Sequence, residues 1–440
     1  MSRRVAFAAG AAVVAVLAAG CGSGGGGGSS PTTTSGTSGS SGATGPGVTA
    51  SAIRVGIPYV DLAALKSLGV NLNQGSYPDA YNALINNLNA EGGVDGRKVV
   101  PYLVPVDPTT TTAALTACTQ VVQDDQAFAA LGPLSPACYL QHQVPTINGG
   151  TLSSQTTLPA GSAENFTLTP PPSVFDPLLL AAVAKKGLFK GKKVGLYAGT
   201  TSDTSELTVV QSALKKLGVD VVSSAVNSAP SNDQVAEYQQ AATIAERFKS
   251  SGVDEVVAVG TGSAGWPAAL ENNQSSYNPP WVATSASDLG GVLTSKTQND
   301  PTYLRNLVTS ATFNSIALQN YLVWQDPAVQ KCVSIIKKAY PSDLITSPPP
   351  PSRPAASSSD NTWVSVENAC TNLAMFVKIA GAAGKDLTVA SFTQAGYGLR
   401  NVTFPGSGGP VSFGPGQAYA VGPASLYTYD VSSKQLMAAS

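Results

Sequence analysis

Asn89-Ala90-Glu91-Gly92-Gly93-Val94-Asp95-Gly96-Arg97-Lys98 is the stretch on which the reading of this chain turns. Upstream of it, Tyr81, Leu84, Ile85 and Leu88 recur at the three- and four-residue spacing of one helix face. The paired glycines then end the helix, because glycine takes the left-handed conformation of a C-terminal cap without a Cβ penalty. Downstream, Val99 to Val106 has the branched, apolar character of a strand, although Pro101 and Pro105 leave its register open. Ahead of the helix, Ile53-Arg54-Val55-Gly56-Ile57 reads as another strand. Strand, helix, strand is the unit from which a parallel sheet with crossover helices is built.

The alternation continues. Ala114, Leu115, Cys118, Val121 and Val122 mark a helix face, and Ala127 to Leu131 and Val144 to Ile147 read as strands. After Pro170-Pro171-Pro172 a second series begins, with strands expected at 194–197, 219–222, 255–259 and 281–283. Its helix faces are Leu207, Val210, Leu214 and Leu217, then Val235, Tyr238, Ala242 and Ala245, then a helix from about Pro267. From about Ala311 the pattern loosens: helices are expected at 328–339 and 364–380, strands around Val411-Ser412-Phe413 and at 425–429. Between the two helices, Ser347 to Ser359 carries four consecutive prolines and reads as a stiff exposed loop. Two such series imply an α/β fold of two open parallel-sheet lobes. Sheets of this kind bind ligands outside the carboxyl ends of their strands.

Composition narrows the function. The 440 residues hold 25 Lys and Arg against 26 Asp and Glu, and a net charge of −1 argues against nucleic-acid binding by phosphate neutralisation. A hydrophobic content of 43% is ample for a core. One histidine, His142, is too few for a multi-histidine metal site or histidine-centred catalysis, and no cofactor is implied. An exported hydrolase would need an activated nucleophile, and no Gly-x-Ser-x-Gly context supplies one.

The N-terminus gives an address. Arg3 and Arg4 precede an apolar run from Val5 to Ala19, short of the roughly 20 residues that span a bilayer but fitting a signal peptide, placed at 1–20. Leu17-Ala18-Ala19-Gly20-Cys21 resembles a bacterial lipobox, with Ala18 where leucine is usual, and implies that Cys21 is acylated. Residues 22–51 are almost entirely Gly, Ser, Thr and Pro without charge, a disordered linker with a span of about 30 Å. The expected protein is therefore extracytoplasmic and lipid-anchored to the bacterial cell membrane. With Cys21 lipidated, Cys118, Cys138, Cys332 and Cys370 remain, and three pairings are possible. Cys118–Cys138 with Cys332–Cys370 is favoured because each pair then lies within one folding unit.

The ordered pieces together resemble a known family. The Asn-Ala-x-Gly-Gly-x-x-Gly-Arg block, the strand closing on Asp107, Val144-Pro145-Thr146-Ile147 before Asn148-Gly149-Gly150, and Gly409-Pro410-Val411-Ser412-Phe413 are similar to the type I periplasmic binding proteins. The nearest branch is the Leu/Ile/Val-binding solute receptors of ABC importers, and the resemblance covers about 53–429. It implies two lobes joined by a hinge of three crossovers, placed near Pro170, Ser310 and Pro410. The N-terminal lobe is then 52–172 plus 315–409, and the C-terminal lobe 173–314 plus 410–440. The implied function is capture of a small polar, amino-acid-like metabolite between the lobes and delivery to ABC permease subunits, without catalysis. A ligand sensor of the same fold, signalling to a membrane partner, is the alternative.

The resemblance also implies a site. Ser135, and Gly149, Gly150 and Thr151 after the next strand, correspond to the groups that hold a ligand carboxylate in the first lobe. Asn73 and Gln74, in the loop before the first helix, are expected to reach the cleft, with Ser76 equally readable as a helix N-cap. In the second lobe the family's aromatic and acidic positions are replaced, leaving Thr201, Ser263, Trp266 as a stacking aromatic, and Asp288 as the nearest carboxylate.

Overall fold

The computed structural model describes residues 45–440 apart from 68–70, 111, 150–157, 231–232, 274–276, 286–306, 311–322, 349–360, 423–425, 431, 433–434 and 439–440. Cys21, Gly150, Thr151, Asp288, the signal segment and most of the proline-rich loop lie outside the described residues. Among the described residues no helix is long and apolar enough to cross a membrane.

The first sheet is built from β1 (Ala52–Val60), β2 (Lys98–Val106), β3 (Ala129–Leu131), β4 (Thr146–Ile147) and β5 (Asn165–Phe166), in the order β2-β1-β3-β4-β5. All its pairings are parallel. β2 lies at the edge, which explains how it tolerates two prolines. Lys98 N–H donates to Ser51 O, so even-numbered N–H groups of β2 face β1, and the nitrogens of Pro101 and Pro105 face outward. The connecting helices are α1 (Ala63–Ser67), α2 (Tyr77–Ala90), α3 (Ala113–Thr119) and α4 (Ala137–Gln141). A π-turn over Gln120–Asp124 extends α3 and rephases it, and Leu115, expected on its apolar face, is 59% exposed.

The chain leaves β5, passes Leu168 in the first core, and enters α5 (Pro172–Lys185) of a second lobe. There β6 (Lys193–Ala198), α6 (Thr204–Lys216), β7 (Asp220–Val226), α7 (Gln234–Ser250), β8 (Glu255–Val259), α8 (Gly262–Asn273), β9 (Trp281–Ala283) and β10 (Leu307–Ser310) follow. α7 turns Ala241, Ile244, Ala245 and Phe248 inward, while Val235 and Tyr238, read as its apolar face, are exposed. The chain is next described at Val323, again in the first core, and adds α9 (Pro327–Ala339), α10 (Trp363–Ala383) and α11 (Val389–Gly398) there.

A two-stranded ribbon, β11 (Ser412–Gly414) and β12 (Gln417–Val421), corrects the expected third crossover at Pro410. Val411, Phe413, Ala418 and Ala420 are buried in the first core, and Tyr419 bridges Thr167 in parallel beyond β5. The return to the second sheet comes only after Val421, with β13 (Leu426–Asp430) antiparallel to β10 and β14 (Gln435–Ala438) antiparallel to β13. The second sheet runs β14-β13-β10-β9-β8-β6-β7.

Both lobes have apolar layers on the two faces of the sheet. In the first, Val366, Phe376 and Ile379 of α10 pack with Ile53, Val55 and Ile57, each such buried side chain contributing roughly 1.5–3 kcal/mol. On the other face Cys118 and Cys138 are disulfide-bonded, and Cys332–Cys370 joins α9 to α10. The opening sequence block holds this lobe together. The Asn89 side chain pairs with both backbone groups of Val99 at 2.8 Å, and Gly93, at φ +70°, leaves no room for a side chain, since a Cβ there would lie 2.0 Å from Arg97 O. Arg97, only 4% exposed, donates to the carbonyls of Gly384 (2.8 Å) and Lys385 (3.2 Å), placing a cation on the C-terminus of α10.

Candidate functional site

The carboxyl ends of the first sheet open into a cavity of about 380 Å³, within the range of small-molecule pockets. Its floor is Pro58, Tyr59 and Val60 at the end of β1, Leu131 and Gly132 at the end of β3, and Asn148 just beyond β4. Two helices supply the walls. Ser76 caps α2, its Oγ accepting from Asp79 N–H at 3.2 Å, and Pro78 starts the helix, so Tyr77 and Tyr81, four residues apart, share one face. α10 contributes Trp363, Glu367 and Thr371 at four-residue spacing, with Asn368 and Asn372 alongside.

Most of the polar groups are already satisfied. Asn148, at φ +46°, donates to Asn372 Oδ1 (2.8 Å) and accepts from Leu168 N–H (2.9 Å). Asn372 in turn donates to the Tyr81 hydroxyl (3.0 Å), Asn368 to that of Tyr77 (3.2 Å), and Tyr77 to Gln74 Oε1 (3.3 Å). Tyr59 stacks on Tyr77 with ring centroids 6.0 Å apart and an interplanar angle of 23°. Burial pushes the hydroxyl pKa of Tyr81 far up and that of Tyr77 up, so both stay neutral donors. Two groups differ: Glu367 Oε1 and Trp363 Nε1 are buried without a hydrogen-bond partner. Glu367 is 8% exposed, and desolvation pushes its pKa up to about 8. Among the described residues the cavity lining contains no Lys, Arg or His.

The residues expected from sequence fall elsewhere or at the margin. Gln74 touches the site through Tyr77, whereas Asn73 lines a neighbouring cavity of about 350 Å³ with Ser365 and Asp343. Ser135 is exposed and outside the lining, which takes Pro133 and Leu134 instead. Gly149 is locked to Asn165, donating to Oδ1 (3.0 Å) and accepting from Nδ2 (3.3 Å).

In the second lobe, Thr201 lies on an exposed turn, its carbonyl accepting from Thr204 Oγ1 at 2.7 Å. Ser263 is fully buried, donating to Ala258 O (3.2 Å) and accepting from Ser285 N–H (3.1 Å). Trp266 is corrected outright. It has no exposure and packs between Tyr197 (5.4 Å) and Phe248 (5.7 Å), because α8 turns it onto the sheet rather than toward solvent. The carboxyl ends of these strands instead carry a polar knot, in which Asp203 accepts from Thr261 Oγ1 (2.6 Å) and Glu206 from Thr284 Oγ1 (2.8 Å) and Gly260 N–H (3.0 Å).

Sequence reasoning missed the aromatic and amide lining. Its signal was the polar residues Glu367, Asn368, Thr371 and Asn372 running along a helix whose other face is apolar, and the Tyr77/Tyr81 pair.

Comparison with known proteins agrees with this architecture. A family model described as periplasmic binding protein matches residues 69–435. No curated protein matches the sequence. Among solved structures, a putative branched-chain amino acid ABC transporter protein from Rhodospirillum rubrum is similar over 88% of this chain and 99% of its own, at 15% identity and a TM-score of 0.59. A fatty acid ABC transporter substrate-binding protein from Thermomonospora curvata covers 90% and 93% at 19% identity and 0.55. A solute-binding protein of an ABC transporter from R. palustris, in complex with 4-hydroxybenzoate, covers 88% and 95% at 16% and 0.54. A βαβ-built pair of lobes, a cavity at the strand ends and a family match across most of the sequence lead to one conclusion: the chain belongs to the periplasmic binding protein family and has its type I fold.

Proposed function

We propose that this protein is the lipid-anchored, extracytoplasmic solute receptor of an ABC importer, moored through Cys21 and a linker that ends before Gly45, and that it carries a small organic solute to permease subunits without chemical change. The linker ends there rather than at 51 because Gly45 N–H donates to Leu387 O and Val48 is buried in the first core. The observation that supports this best is the cavity at the carboxyl ends of β1, β3 and β4, walled by Tyr77, Tyr81 and α10. Such a wall binds one face of a ligand. Closure of the second lobe over the other face gives the differential affinity that drives hinge bending.

The solutes of the similar proteins, an amino acid class, a fatty acid and 4-hydroxybenzoate, show how far this fold varies its ligand, so the cavity lining is what sets specificity here. Thermal unfolding of the full chain against a panel of small solutes tests the reading. A ligand that binds only the folded state raises the melting temperature by mass action. A panel spanning amines, acids, alcohols and amides that produces no shift at millimolar concentration refutes it. Anchoring is tested apart: Cys21→Ala moves the protein from membranes to the soluble fraction, and an unchanged distribution refutes lipidation.

A further inference from the structure

The cavity is unusual in what it leaves unpaired. Four aromatic rings, those of Tyr59, Tyr77, Tyr81 and Trp363, line it beside one carboxyl group, Glu367. Glu367 is more than nine-tenths buried, with Oε1 unpartnered. Buried polar atoms are ordinarily paired, and unlike Trp266 Nε1 in the second core, this one lines a cavity where a ligand can complete its network. To an anionic ligand group the lining offers one unpaired buried donor, Trp363 Nε1, besides the tyrosine hydroxyls. Among the described residues no cationic side chain lines the cavity. The N–H groups of Gly132, Asn148 and Gly149 are spent on Ile147 O, Phe166 O and Asn165 Oδ1. Pro133 and Pro136 have none. Aromatic faces around a carboxylate are instead the surroundings that hold an organic cation, the rings through their negative faces and the carboxylate by direct charge.

We propose that the cavity selects an organic ammonium: a small ligand whose protonated amine meets the Glu367 carboxylate and the surrounding rings, and whose remaining body is apolar. This rests on the solute-binding reading and names its substrate class. Binding has a proton signature. Free Glu367, pushed up to about 8 by burial, carries its proton at pH 6, and pairing with an ammonium ionises it and releases that proton to the buffer. The other titratable groups lining the cavity among the described residues are Tyr59 from β1 and Tyr77 and Tyr81 from α2, all with pKa values raised above the ordinary tyrosine value, so none titrates between pH 6 and 8.

The test uses three probes of one shape: 2-phenylethylammonium, 2-phenylethanol and 3-phenylpropionate, with the full chain in titration calorimetry. The ammonium is expected to bind at least tenfold tighter than either analogue. It should release close to one proton at pH 6, read from two buffers of different ionisation enthalpy, and gain about tenfold in affinity from pH 6 to 7. Glu367→Gln, which keeps size and fold, should weaken the ammonium at least tenfold and abolish proton release, and Trp363→Phe should weaken it severalfold. Equal or tighter binding of the carboxylate or the alcohol, or an unchanged Glu367→Gln, overturns the ammonium assignment while leaving solute binding intact. Absence of binding by all three probes overturns the assignment, and failure of the whole solute panel as well overturns the receptor reading itself.

Discussion

Asp176 makes the stability of this protein depend on pH in a direction that can be worked out. It sits in the first turns of α5, 1% exposed, with its Oδ2 buried without a hydrogen-bond partner and its carboxyl near that of Glu206 of α6. Burial first, and then the charge of Glu206, push its pKa up to about 9. In the unfolded chain an aspartate titrates near 3.9, roughly the ordinary value. The folded protein therefore holds a proton that the unfolded chain gives up as pH rises from about 4 to about 9. Stability from this source is complete below the lower value and is lost on the way to the upper one. One proton of difference changes stability by about 1.36 kcal/mol per pH unit, so between pH 5 and 7 Asp176 alone removes about 2.7 kcal/mol.

Asp176→Asn keeps the shape but cannot ionise. Urea unfolding of the full chain at pH 5, 6 and 7 measures the slope. The wild type should lose about 2.7 kcal/mol more than the variant over that interval. Some decline should persist in the variant, because burial raises Glu367 to about 8 and Glu255 to about 7 with the same sign. Parallel profiles for the two proteins would refute the assignment of a buried, protonated Asp176.

Two further outcomes follow from the packing. Trp266→Ala should cost roughly 3–5 kcal/mol of stability in urea unfolding while leaving the affinity for a cavity ligand unchanged, since Trp266 is enclosed by Tyr197, Phe248 and Tyr277 in the second lobe; a selective loss of affinity would return it to the binding site. Replacing Cys118 and Cys138 by serine opens a loop of 20-residue separation and should cost roughly 3 kcal/mol, read as a fall in melting temperature, and an unaltered value would show that the bridge does not form.

The expectations that failed share a cause. Trp266 follows Gly262 and Gly265 and looked exposed, but the phase of α8 against β6 and β8 is fixed by contacts distant in sequence, and Gly265 lies close to the Tyr197 ring. Leu115 precedes the π-turn at Gln120–Asp124 and is exposed although Cys118, on the same helix, is fully buried, because nothing among the described residues packs over its side of the helix. The family resemblance implies Ser135 as a ligand group, and its loop presents Pro133 and Leu134 to this cavity with Ser135 exposed beside them. Conversely, Asn148 was visible as part of a turn, but its role as the tie between α10 and the end of β4 depends on Asn372, 224 positions away.

What the sequence determined by itself was local and periodic. Gly92 and Gly93 stop α2 because their backbone angles suit glycine, Ser76 and Asp326 start helices by accepting from exposed N–H groups, and the alternating strand and helix patterns dictate the parallel pairings among β1 to β10. These follow from short-range sterics and hydrogen bonding, which a stretch of ten residues already contains. Only the tertiary structure decided which lobe receives the 411–421 ribbon, which aromatic rings line a cavity and which fill a core, and that Glu367 is left without a partner. Those outcomes depend on desolvation and on side chains hundreds of residues apart meeting at one sheet edge, and no local pattern encodes them.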